Sequence, residues 1–113
     1  MLNQVILVGR ICNEPTLKEN EKGTKNCYIT VAVPRSYKNE NGEYDTDFIG
    51  CQLWNVVAEN TASFCKKGDL VGIKGSLQSY NYENENGEKV YKLNVVAEKV
   101  TFLSSKKETE SEN

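Results

Sequence analysis

Histidine is absent from these 113 residues. That removes the commonest general base and the Ser-His-Asp and Cys-His constellations of nucleophilic enzymes. A zinc site would then need all four cysteines, Cys12, Cys27, Cys51 and Cys65. They contain no C-x-x-C pair, and their spacing suits neither a knuckle nor a ribbon. No P-loop and no metal-ligand cluster is present, and acids such as Asp45 and Asp47, beside a hairpin tip, read as a solvated face. The expectation is a protein that is not an enzyme and carries no metal or cofactor. An excess of one charge is also missing. Fourteen basic residues stand against sixteen acidic ones, a net charge of −2, so no overall basic footprint supports purely electrostatic binding to nucleic acid. No segment approaches bilayer-spanning length and no charged leader opens the chain. Three of the cysteines fall on apolar phases, as small buried thiols do. A reduced, cytoplasmic, single-domain protein is expected.

What is present is alternation, clearest in Asp47-Phe48-Ile49-Gly50-Cys51-Gln52-Leu53-Trp54. Residues i and i+2 of a strand share a face. Ile49, Cys51 and Leu53 therefore make an apolar face for a core, while Phe48, Gly50, Gln52 and Trp54 face away from it. Two large aromatics on the polar side of a strand present flat π-surface outward. Such a surface can be covered by a loop, a helix or a second subunit, or it can stack nucleobases. The pattern recurs in Leu70–Tyr82, where Val71, Ile73 and Leu77 are apolar and the other face carries Lys74, Ser76, Gln78, Tyr80 and Tyr82. One such strand has several explanations. Two built alike favour a ligand.

Around these lie the other elements. Val5–Ile11 reads as a first strand, and Cys27–Val33 as a second that stops at Pro34. A polar excursion over Tyr37–Asp45, with Asn41-Gly42 at its tip, leads into a third strand, Thr46–Trp54. The period then changes. Ala58, Thr61, Ala62, Phe64 and Cys65 recur at helical spacing, which predicts a helix over 57–67 with Asn55 as cap and Gly68 after its end. Strand four covers Leu70–Tyr82, a turn occupies 84–87, and strand five runs over 90–102. Residues 104–113 are polar and expected to be disordered. Three strands, a short helix, two strands: this order predicts an all-β OB-fold, a five-stranded Greek-key barrel over residues 1–103 with the helix between strands 3 and 4. Within the first strand, Ile6 and Val8 make the outward face apolar at its centre, which points to self-association through Val5–Ile11.

Several segments together resemble the bacterial and phage single-stranded DNA-binding protein family. They are Leu2-Asn3-Gln4-Val5-Ile6-Leu7-Val8-Gly9-Arg10, Asp47-Phe48-Ile49 with Leu53-Trp54, Ala58-Glu59-Asn60, Lys66-Lys67-Gly68, Gly75-Ser76-Leu77-Gln78, Asn81-Tyr82-Glu83 and Val95-Val96-Ala97-Glu98. The resemblance covers nearly the whole chain. It implies an OB-fold subunit, usually of a homotetramer, that binds single strands without sequence preference in DNA replication, recombination or repair. It also implies base stacking at four positions, occupied here by Tyr37, Phe48, Trp54 and Tyr82, and phosphate contacts from Arg10, Arg35 and Lys74. Tyr80 stands where relatives often carry arginine, which offers another stacking surface instead. The chain's end, Glu108-Thr109-Glu110-Ser111-Glu112-Asn113, is acidic but lacks the apolar residues with which cellular members recruit replication proteins, and a phage or mobile-element origin is the expectation that follows. The competing reading is an OB domain that docks a protein, of the primosome accessory type. Contiguous aliphatics would favour it, whereas here Gly50, Gln52, Ser76 and Gln78 intersperse the aromatics.

Overall fold

Where apolar and polar residues alternate, the computed structural model has strands, and it describes residues 1–106. They are β1 (Val5–Ile11), β2 (Lys18–Glu19), β3 (Lys25–Lys38), β4 (Tyr44–Trp54), β5 (Leu70–Glu83) and β6 (Lys89–Ser104), with α1 (Asn55–Phe64) between β4 and β5. The sheet runs β1-β5-β6-β4-β3 and closes on itself through Arg10↔Ala32 and Ile11↔Val31. The result is a five-strand barrel of OB type, with the helix between its third and fourth strands. β2 is an addition outside the barrel, paired with β3 at Lys18↔Asn26 and Glu19↔Lys25. Closure between β4 and β6 is parallel and short, at Cys51↔Val95 and Gln52↔Val96. All other pairings are antiparallel.

Inside lie Ile11, Cys27, Ile29, Val31, Cys51, Leu53, Val71, Ile73, Val95 and Ala97, with Ala58 and Cys65 brought in by the helix and the loop after it. Each large aliphatic so buried contributes about 1.5–3 kcal/mol by leaving water. Burial pushes the Cys51 thiol up to about 11, so it stays protonated and behaves as a small hydrophobe. Among the described residues, no helix is long and apolar enough to cross a membrane.

The structure differs from the sequence reading at several further points. β3 does not stop at Pro34 but continues to Lys38, with Pro34↔Thr46 in register. β1 pairs with β3 only at Ala32 and Val31, so the edge of β3 away from β4 is open at Pro34 and a missing N–H there breaks no ladder bond. The helix occupies 55–64 rather than 57–67, and Trp54, not Asn55, holds the N-cap position, without a side-chain cap bond. Asn55 instead turns the corner from strand to helix at φ 54, a left-handed conformation that asparagine tolerates better than most residues. Leu77 has the phase of Val71 and Ile73 but is exposed; it pairs with Val95, the last buried residue of β6 on the way to the hairpin tip, so it stands at the rim of the core. Asn3 completes the ladder at that point, its side chain donating to Leu77 O and accepting from Leu77 N, both at 2.8 Å. Finally, β6 runs on to Ser104. The disordered tail expected from residue 104 falls, from residue 107 onward, outside the described residues.

Three connections use one device. In Asn20–Thr24, Asn39–Glu43 and Asn84–Glu88 the asparagine Oδ1 accepts the backbone N–H two and four residues on, at 2.9–3.0 Å. The glycine at the fourth position takes positive φ in each, at Gly23, Gly42 and Gly87, where a side chain would be strained. The last two turns share the sequence Asn-Glu-Asn-Gly-Glu, and each is preceded, two residues before its asparagine, by a tyrosine, Tyr37 or Tyr82.

Candidate nucleic-acid interface

The barrel leaves the outward faces of β3, β4, β5 and β6 side by side. On β4 these are Phe48, Gly50, Gln52 and Trp54, opposite Ala32, Thr30, Tyr28 and Asn26 of β3. Across the parallel seam lie Val96 and Asn94 of β6, which pair with Ser76 and Gln78 of β5. The two aromatics of β4 are exposed as their phase predicts, Phe48 at 69% and Trp54 at 41%. Tyr80 and Tyr82 are exposed on the same phase of β5. Trp54 and Tyr80 flank an open groove of about 400 Å³, whose floor and walls include Tyr28, Gln52, Gln78 and Asn94. The Gln52 amide nitrogen donates to Cys27 O and Leu53 O, at 3.3 and 3.2 Å. That fixes which end of the amide is donor and leaves its oxygen as an acceptor. Phe48 lies six residues from Trp54 along β4, roughly 20 Å away.

The structure thus brings Trp54 and Tyr80 together, extends their faces to Phe48 and Tyr82, and sets Tyr37 apart on the β3–β4 hairpin, exposed and within the register shift between Pro34 and Lys38. The cations lie elsewhere. Arg35 forks onto Asp47, Nε to Oδ2 at 3.0 Å and Nη2 to Oδ1 at 2.9 Å, with Asp45 at 3.8 Å. Hydrogen bonding from Arg35 holds the Asp47 carboxyl below the usual carboxylate range. Arg10 Nη1 donates to Gly68 O at 3.0 Å, beside a second groove lined by Val8, Ala32, Pro34 and Thr46. Lys74 is opposite Ile6 of β1, six residues and roughly 20 Å along β5 from Tyr80. Lys38 sits over the Tyr44 ring at 5.9 Å. Among the described residues, no three His, Cys, Asp or Glu side chains cluster to hold a metal ion.

An OB barrel with solvent-facing aromatics on its sheet is a frame that many binding proteins share, and sequence similarity decides between them. A profile of the single-strand binding protein family matches residues 2–103. The chain belongs to that family. It is 46% identical over 106 residues to the single-stranded DNA-binding protein B of Bacillus subtilis (strain 168), covering 94% of both chains. It is 46% identical over 107 residues to the single-stranded DNA-binding protein 1 of Lactococcus lactis, covering 95% of this chain and 71% of that one. Against the single-stranded DNA-binding protein of Lactiplantibacillus plantarum the identity is 46% over 110 residues, 97% of this chain but 55% of the other. The chain therefore spans nearly all of one relative and about half of another. The family is one of binding proteins, which fits a site made of ring faces and amides.

One aromatic of this candidate face was not singled out from the sequence. Tyr28 lines the groove, and the signal was available. It stands on the outward phase of the strand that buries Cys27, Ile29 and Val31, directly opposite Gln52.

Proposed function

We propose that this member of the single-strand binding family binds and protects single-stranded DNA, without sequence preference, during replication, recombination or repair. The observation that carries the reading is the groove between Trp54 and Tyr80, continued by Phe48 and Tyr82 on the same strand faces. Every base has a π-face, so stacking on these rings and on Tyr37 tolerates any sequence, at roughly 1–3 kcal/mol per base. Duplex DNA hides its base faces, so the same rings discriminate for single strands. Arg10, Arg35 and Lys74 supply what phosphate contact there is. Arg35 must first leave Asp47 or share it, which makes stacking the larger contribution. No catalytic step accompanies binding, and the protein acts in the cytoplasm.

The active form is a homo-oligomer, a tetramer by the family's habit, assembled through β1. Ile6 at 71% and Val8 at 51% exposure put an apolar outward face on that strand that no element among the described residues covers, the usual place for a second copy. The experiment for the function is a titration of Trp54 fluorescence with oligothymidine and, in parallel, with duplex DNA of equal length. Strong quenching by the single strand alone is expected. No change at saturating strand would reject stacking at Trp54 and favour a protein as the partner of this face.

A further inference from the structure

Gly50 and Tyr28 fit each other. The register sets Tyr28 opposite Gln52, two pairs along from Thr30↔Gly50 on the same face, yet the tyrosine ring leans back over the glycine. A Cβ built at Gly50 would collide with Tyr28 Oη and come within 2.7 Å of its Cζ. The missing side chain is thus the seat of the ring. Tyr28 has not gone there to be buried, since it remains 51% exposed. Nor has it gone there for a polar partner, since no hydrogen bond of its hydroxyl is found among the described contacts. The result is an aromatic surface in the interval between Phe48 and Trp54, which are roughly 20 Å apart on the neighbouring strand. It lies in the wall of the groove that Trp54 and Tyr80 flank.

We propose that Tyr28, seated on Gly50, is a further base-stacking residue of this chain, distinct from the positions at Tyr37, Phe48, Trp54 and Tyr82. The inference rests on the single-strand reading of the same face. Tyr28 converts two separated platforms on β4 into a continuous track, so that a strand crossing from Phe48 to the Trp54–Tyr80 groove finds a ring partway along. Gly50 is a positioning residue. It touches no base and acts by leaving room for the ring.

The test is a set of affinities for fluorescently labelled oligothymidine, measured by anisotropy on the full chain. Tyr28→Ala should weaken binding about 5- to 150-fold, the range for one stacked base, while Tyr28→Phe should bind like the wild type. Gly50→Ala should weaken binding less, by lifting the ring from its seat, and should have no further effect when added to Tyr28→Ala. That coupling is what a double-mutant cycle isolates. A methyl group that merely obstructed the strand would weaken binding equally with and without Tyr28, and this result would overturn the role of the seat. Wild-type affinity in Tyr28→Ala, alongside a weakened Trp54→Ala, would overturn the stacking role while leaving the single-strand reading intact. No binding by the wild type would end both. Photocrosslinking of the wild type to 5-iododeoxyuridine oligonucleotides gives a readout that needs no variant to fold. A crosslinked peptide containing Tyr28 is expected, and crosslinks confined to the other aromatics would count against the proposal.

Discussion

Raising the salt from 0.05 to 0.5 M separates the two ways this face could hold a strand. Each phosphate contact releases a counterion, and on single strands log K falls with log salt by about 0.7 per contact. The supply of cations sets the slope. Arg10, Arg35, Lys38 and Lys74 are the candidates, but the Arg35 guanidinium is forked onto Asp47. Lys38 stands over Tyr44, and Arg10 is bonded to the Gly68 carbonyl. Lys74 has no such partner among the described residues but lies toward β1 rather than in the groove. One to three contacts per subunit is the range that remains, for a slope of about −0.7 to −2. Across the tenfold change of salt this amounts to a loss of roughly 5- to 100-fold in affinity. A protein making six to ten phosphate contacts would lose on the order of 10⁴-fold or more over the same range. Fluorescence titrations with oligothymidine at stepped sodium chloride give the slope directly. A value of about −4 or steeper per subunit would refute the reasoning, because it would require cations that the structure has engaged elsewhere.

Trp54→Ala should weaken binding to oligothymidine by about 1–3 kcal/mol yet leave a folded barrel, since the ring is on the outward face; loss of the cooperative melt with unchanged affinity of the folded fraction would make it a core residue. Val8→Lys should shift the protein toward monomer in sedimentation, as a charge on the apolar face of β1 cannot be covered cheaply, and an intact oligomer would move assembly to another surface. With no histidine in the chain, affinity and thermal stability should be flat between about pH 6 and 8; a titration step inside that window would contradict this. Asp47 has its pKa lowered by Arg35, so the stability it adds is present above the ordinary aspartate range near pH 4 and is lost as the pH falls through its own lower value. Asp47→Asn should therefore flatten the acid limb of a melting-temperature profile, and an unchanged limb would assign it to other carboxylates.

Much of this was legible because period-two alternation is a strong signal wherever a strand has one buried face. It put Phe48, Trp54, Tyr80 and Tyr82 outward, Cys51 and Leu53 inward, and Ile6 and Val8 on a bare face, and the structure agrees at each. It failed at Leu77 because alternation reports the phase of a side chain and not where along the strand the core ends, and Leu77 stands at the rim, where β5 is exposed from there to Glu83. Pro34 misled because the penalty for a proline depends on whether a neighbouring strand needs its N–H, which is a matter of topology. The pairing of Arg35 with Asp47 joins residues twelve apart through a register shift that alternation alone does not locate. The seat of Tyr28 on Gly50 depends on cross-strand register too, and so could not be read from either strand by itself.

The parallel seam between β4 and β6 has a mechanical consequence. Only two residue pairs, Cys51↔Val95 and Gln52↔Val96, close the barrel there, while β5 and β6 pair over the length of both strands. The groove straddles that seam, with Trp54 and Gln52 on one lip and Asn94 and Tyr80 on the other. A strand lying in the groove would therefore act as a suture across one of the two short joins in the wall, and any opening of that join would pull the site apart. Occupancy and closure are then linked, because a ligand that binds only the closed form stabilises it by mass action. Backbone amides along the seam, whose hydrogen exchange reports the local opening of the barrel, become a place where a bound strand would be felt through the wall from the inside.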